Sequence, residues 1–126
     1  MSRIVTGRQS ENGLVTQAVQ AGGLVFTTGS IGNDLDNPSE LPDDIETQTI
    51  NTLKRLHGIL DRAGSSLEKV IKVTVYMNEI DREFDRMGAA YASYLSEHGI
   101  TEPPARTTIG CRLPWSKVEM DMIALA

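Results

Sequence analysis

Residues 103–126 read PPARTTIGCRLPWSKVEMDMIALA, and the reading of this stretch decides the fold. It holds two β-like runs, Ala105–Cys111 and Lys117–Leu125, joined through Leu113-Pro114-Trp115-Ser116 as a closing hairpin. Side chains alternate along a strand, so Arg106, Thr108 and Gly110 share one face; Ala105, Thr107, Ile109 and Cys111 share the other. On the second run Val118, Met120, Met122 and Ala124 form one face, opposite Glu119 and Asp121. With both apolar sets turned to a core, Arg106 and Glu119 project from the same side of the hairpin. That makes a charged candidate site on rigid backbone.

Working toward the N-terminus, Pro103 and Pro104 end any helix. Before them, Asp81–Glu97 reads as an amphipathic helix with the stripe Ile80, Phe84, Met87, Tyr91 and Tyr94/Leu95, stopped by Gly99. Val70–Met77 (VIKVTVYM) is the clearest strand, with Ile71, Val73, Val75 and Met77 on one face. Asp43 opens an earlier helix as its cap, with Glu46 completing a capping box. Its stripe is Ile45, Thr49/Ile50, Leu53, Leu56 and Ile59/Leu60, and Gly64 is its stop. Asn33–Pro42 is polar loop. Thr16–Gln20 and Leu24–Thr28 are strands around a glycine turn, Ala21-Gly22-Gly23. Thr28-Gly29-Ser30-Ile31-Gly32 closes the second of them, either as a flexible exit or as N–H groups converging on an anion. Ile4 and Val5 start a short strand, followed by a polar segment, Thr6–Asn12, without periodic pattern. The order is strands, helix, strand, helix, two strands: an α+β mixed sheet with two helices packed on one face. The other face, carrying Arg106, Glu119, Ile123 and Leu125, then needs water or a partner, which suggests a homo-oligomer.

The 126 residues make one domain, 1–126, with apolar and charged fractions of 40% and 23% that suit a soluble globular chain. No apolar run spans a bilayer, and MSRIVTGRQS lacks a signal-peptide core, so the expected compartment is the cytoplasm. One cysteine, Cys111, leaves no internal disulfide. A net charge of −5 with scattered basic residues argues against a nucleic-acid partner.

Arg106 offers paired donors that match a carboxylate, the alternative being an ion pair with Glu119 or Asp121 within or between chains. Glu119 offers a general base or a water anchor, the alternative being a solvated strand residue. P-loop, dinucleotide, zinc and nucleophile-elbow patterns are all lacking. Cys111 reads as packed, His57 as a partly exposed structural residue, His98 as a surface residue at a helix end, and Trp115 as a cover or interface residue.

Taken together, Gln17-Ala18 before Ala21-Gly22-Gly23-Leu24-Val25-Phe26, Thr28-Gly29-Ser30-Ile31-Gly32, Leu67–Tyr76, Pro104-Ala105-Arg106-Thr107-Thr108, Leu113-Pro114 and Val118-Glu119-Met120-Asp121 carry a resemblance. The chain resembles the RidA/YjgF family of enamine/imine deaminases, historically labelled endoribonuclease L-PSP, over nearly its whole length. The resemblance implies a chorismate-mutase-like fold and a homotrimer with sites in clefts between subunits, no metal and no cofactor. It implies hydrolysis of small 2-imino or 2-enamino acids to 2-oxo acids and ammonia. By that likeness Arg106 clamps the carboxylate, Glu119 orients or activates water, and backbone near Gly29 and Thr108 helps hold the ligand. Val15 stands where the family carries a tyrosine, Thr28 where it carries serine, Thr108 where it carries cysteine, and Gly88 where asparagine is frequent. The changes at Val15, Gly88 and Thr108 motivate a second reading, a non-catalytic small-carboxylate-binding or regulatory trimer. Endoribonuclease, the older label, fits the acidic charge less well.

Overall fold

A computed structural model describes the backbone of residues 4–9 and the whole of residues 13–126. In chain order the elements are β1 (Ile4–Gln9), β2 (Thr16–Ala21), β3 (Leu24–Thr27), β4 (Ser30–Ile31), α1 (Ile45–Arg62), β5 (Val70–Met77), α2 (Ile80–Glu97), β6 (Ala105–Gly110) and β7 (Val118–Leu125). Among the described residues they build one mixed seven-stranded sheet of order β1-β2-β3-β7-β5-β6, with β4 also on β7. β1 carries the polar segment that sequence pattern left unassigned as far as Gln9; residues 10–12 lie outside the described residues.

The closing hairpin does not exist. β5 lies between β6 and β7, pairing parallel with β6 and antiparallel with β7. A parallel partner needs a crossover, and α2 supplies it between β5 and β6. The residues between β6 and β7 therefore span a full strand width instead of turning tightly.

Both helices cover one sheet face. Val73, Val75 and Met77 of β5 and Met120, Met122 and Ala124 of β7 meet Leu53, Leu56 and Leu60 of α1 and Met87 of α2 in one buried cluster. Glu46 bonds Arg86 twice at 2.8 Å near the helix starts, and His57 meets Tyr94 at 2.8 Å further along, so α1 and α2 run side by side in one direction. The cap of α1 is Asp44, one residue later than the pattern suggested. Its carboxylate accepts from Thr47 N–H at 2.8 Å, and Glu46 is drawn to Arg86 instead of closing a capping box. Gly64 and Gly99 (φ 78° and 72°) end the helices in the left-handed conformation.

Three side-chain placements also differ from the periodic reading. A register shift between Val70 and Lys72 buries Val70 and turns Ile71 out. On α2, Phe84 is 40% exposed while Glu83 is buried near the Lys117 ammonium. Cys111 is exposed past the end of β6, not packed. His57 is half-buried, His98 is exposed, and Trp115 is largely exposed in the β6–β7 connection.

One buried polar side chain locks this frame. Gln48 donates to Pro42 O at 2.6 Å and accepts from Lys117 N at 2.9 Å, tying the approach to α1 to the start of β7. Gly32 passes so close to the Gln48 backbone that any Cβ would collide with it, which fixes the end of β4 against α1.

Candidate functional site

Arg106 is the second residue of β6, opposite Val73 in register, and Thr108 is opposite Val75. Val73 and Val75 are fully buried under the helices, so Arg106, Thr108 and Gly110 face the helix side. A Cβ on Gly110 would press on Ile80 of α2, confirming the direction. The sequence pattern assigned the opposite face, because Ala105, Thr107 and Ile109 are the more apolar set. Those three are instead exposed on the open face, where Lys72 reaches Thr107 Oγ1 at 2.6 Å. As an edge strand, β6 lies at the rim of the helical layer, and a long cationic side chain can cross that rim.

The Arg106 guanidinium carbon lies 4.8 Å from the Tyr91 ring centroid and 5.9 Å from that of Phe84. Aromatic faces stabilise the cation without occupying its N–H donors. Among the described residues no carboxylate pairs with Arg106. Burial pushes the Tyr91 phenol up, with Arg106 pulling partly the other way, and the buried Tyr91 hydroxyl has no hydrogen-bond partner among the described residues. Beside the guanidinium opens a cleft of about 360 Å³, lined among others by Gly88, Tyr91 and Leu95.

Glu119 occupies the opposite face. It pairs with Tyr76 of β5 and Ile31 of β4, alternating with buried Val118 and Met120. Burial raises its proton affinity above the ordinary glutamate range, and neighbouring Asp121 adds to the rise. Asp121 accepts a hydrogen bond from the Tyr76 hydroxyl at 3.2 Å; burial, then Asp121, raises the Tyr76 phenol as well. Gly29 lies directly over the Glu119 carboxylate, where any Cβ would collide with it. Thr28 is half-buried, and its N–H is committed to Gln17 O at 2.8 Å, so its hydroxyl is what it can offer. Val15 is 49% exposed just before β2.

The predicted residues thus fall into two groups. Arg106, Thr108 and Gly88 gather on the helix side at one edge; Glu119 and Gly29 meet at β7, with Thr28 beside Gly29 in the β3–β4 connection, while Val15 lies apart in the lead-in to β2. Two strand spacings, about 10 Å, and the thickness of the sheet separate Arg106 from Glu119. Sequence reasoning missed the Phe84 contact and the Tyr76–Asp121 pair, since a cross-strand pair becomes visible only once β7 is known to adjoin β5. Among the described residues no cluster of three or more His, Cys, Asp or Glu side chains could hold a metal ion, and no helix is long and apolar enough to cross a membrane.

The sequence model of a family described as Endoribonuclease L-PSP matches residues 8–126. A RutC family protein of Pyrococcus horikoshii is 37% identical over 114 residues, covering 89% of this chain and 86% of the relative. A 2-iminobutanoate/2-iminopropanoate deaminase of Escherichia coli is 28% identical over 114 residues, covering 90% and 88%. Among solved structures, E. coli TdcF with bound serine superposes with a TM-score of 0.85 at 28% identity, covering 98% of each chain. The E. coli YjgF gene product superposes with a TM-score of 0.81 at 30% identity, covering 93% of this chain and 91% of that one.

Proposed function

Because the chain belongs to the RidA/YjgF (endoribonuclease L-PSP) family, we propose that it hydrolyses 2-imino acids to 2-oxo acids and ammonia in sites completed between subunits of a homotrimer. The observation that carries this reading is the Arg106 guanidinium, held over two aromatic rings beside an open cleft with its donors unclaimed by any acid among the described residues. The name of the E. coli deaminase supports the reaction, and the serine bound to TdcF supports a ligand of amino-acid size.

In this mechanism Arg106 takes the substrate carboxylate in a bidentate pair. Glu119 of a neighbouring subunit holds a water against the imine carbon and accepts its proton; a carboxylate with raised proton affinity is the better base. The new C–O bond forms as the C=N π pair moves to nitrogen, which takes up a proton. Collapse of the tetrahedral adduct breaks the C–N bond, leaving a 2-oxo acid and ammonia. The imine carbon is already electrophilic, so fixing carboxylate and water in one geometry supplies most of the acceleration. A trimer also accounts for the open sheet face, where Phe26, Leu125 and Ile109 are exposed at 41%, 48% and 43%.

An amino-acid oxidase generating imine in the presence of semicarbazide tests the reaction. The protein should speed imine loss over buffer for at least one of several amino acids, and no acceleration with any of them removes the proposal. The separation of Arg106 from Glu119 within one chain favours, as the second reading, a binding trimer that uses the Arg106 half alone. Ligand-induced thermal shifts with 2-oxo acids, unaccompanied by any hydrolysis, would decide for it.

A further inference from the structure

The cleft beside Arg106 runs between α2 and β6, and its walls beyond the guanidinium are mainly hydrocarbon: Ala92, Leu95, Ile100 and Pro103. Gly88 forms the wall one turn before Tyr91. It is an ordinary helical residue without positive φ, and a Cβ built there meets nothing within 4 Å. Neither backbone geometry nor packing requires glycine at this point, and glycine weakens a helix interior relative to alanine. What Gly88 supplies is empty space next to the carboxylate-binding group.

Resting on the deaminase reading above, we propose that this cleft receives the substrate side chain, that Gly88 sets its size, and that the preferred substrates are 2-imino acids with branched or aromatic hydrocarbon side chains. In a 2-imino acid the side chain leaves the carbon bonded to the carboxylate. A carboxylate fixed on Arg106 therefore places the side chain against the adjoining wall. A methyl group would leave most of the roughly 360 Å³ unfilled. Each additional methylene buried against these walls favours binding by about three- to fourfold.

The test compares wild type with Gly88→Leu and Gly88→Ala on imines formed in situ by an amino-acid oxidase from alanine, leucine and phenylalanine. Calorimetric binding of pyruvate and of the leucine-derived 2-oxo acid runs alongside. In wild type, kcat/KM for the leucine- or phenylalanine-derived imine should exceed that for the alanine-derived imine by about tenfold or more. Gly88→Leu should cut that ratio by about tenfold or more. Gly88→Ala should make a smaller step in the same direction, on a helix stabilised by the alanine. Ala92→Leu narrows the same cleft one turn on and should lower the ratio too, which covers failure of Gly88→Leu to fold. A wild-type preference for the alanine-derived imine, or equal losses on all imines in the variants, overturns the proposal. Hydrolysis of none of the imines removes the deaminase reading, and binding then decides the cleft alone. Tighter binding of the branched 2-oxo acid than of pyruvate, lost in Gly88→Leu, sustains size selection; binding indifferent to size, or no binding, overturns it.

Discussion

Arg106 and Glu119 sit in the same sheet under opposite regimes. Arg106 lies at an edge, on the helix side, against the rings of Tyr91 and Phe84. Its charge is stabilised by π faces, which do not occupy its N–H donors, and among the described residues no acid claims them. Glu119 lies on the central strand of the open face, beside Asp121 and beneath the Gly29 backbone. Its surroundings disfavour the anion, which is what the proposed base requires. The sheet holds the cation and the carboxylate on opposite faces, so within one chain they do not neutralise each other. In the proposed reaction each half needs what the other has, and a second chain would supply it.

Losing Arg106 should cost the most. Arg106→Ala should lower kcat/KM by about a thousandfold through lost orientation, with the oligomer intact by light scattering. Dissociation to monomers would instead mark Arg106 as an interface ion pair. The complementary experiment unfolds and refolds Arg106→Ala and Glu119→Gln chains together. Each variant alone should be nearly inactive, while random mixing restores both wild-type side chains at about a quarter of the interfaces. No recovery would place the whole reaction within one chain.

A smaller effect lies in the Glu119 half. Burial and Asp121 both raise its proton affinity, so activity that needs the carboxylate falls as pH drops through this raised value. Asp121→Asn removes the second cause, lowers the Glu119 value and should move the acid limb of the kcat/KM profile to lower pH. An unmoved limb would mean that Glu119 is not the base. The smallest effect lies in the Arg106 half. Tyr91→Phe deletes a buried hydroxyl without a partner and keeps the ring, so urea unfolding should change by less than about 1 kcal/mol, toward greater stability.

Most of the fold was legible because local periodicity dictates it. VIKVTVYM is a strand with the predicted bounds, and the α1 stripe is buried from Ile45 to Leu60 apart from a partly covered Ile50. Strand adjacency was not legible. β6 and β7 are neighbours in sequence, and only a long crossover reveals that β5 separates them. The face of β6 was misread for the same reason: alternation gives two sets, and which set meets the helices depends on the partner strand. Arg106 and Glu119 could therefore be singled out by residue type, while their opposition across the sheet could not.

The position of β7 has a consequence for the protein's synthesis. It is made last of the described strands, yet it sits mid-sheet with β3 and β4 on one side and β5 on the other. Until it emerges from the ribosome, β3 and β5 each expose an unpaired inner edge, and Gln48 lacks the Lys117 N–H that it grips across 69 residues. Early helices and hairpins can form as the chain grows, but the sheet closes in one late, long-range step, the kind that topology makes slow. A chain cut short before residue 118 would carry two half-sheets, each with an unpaired inner edge open to a wrong partner.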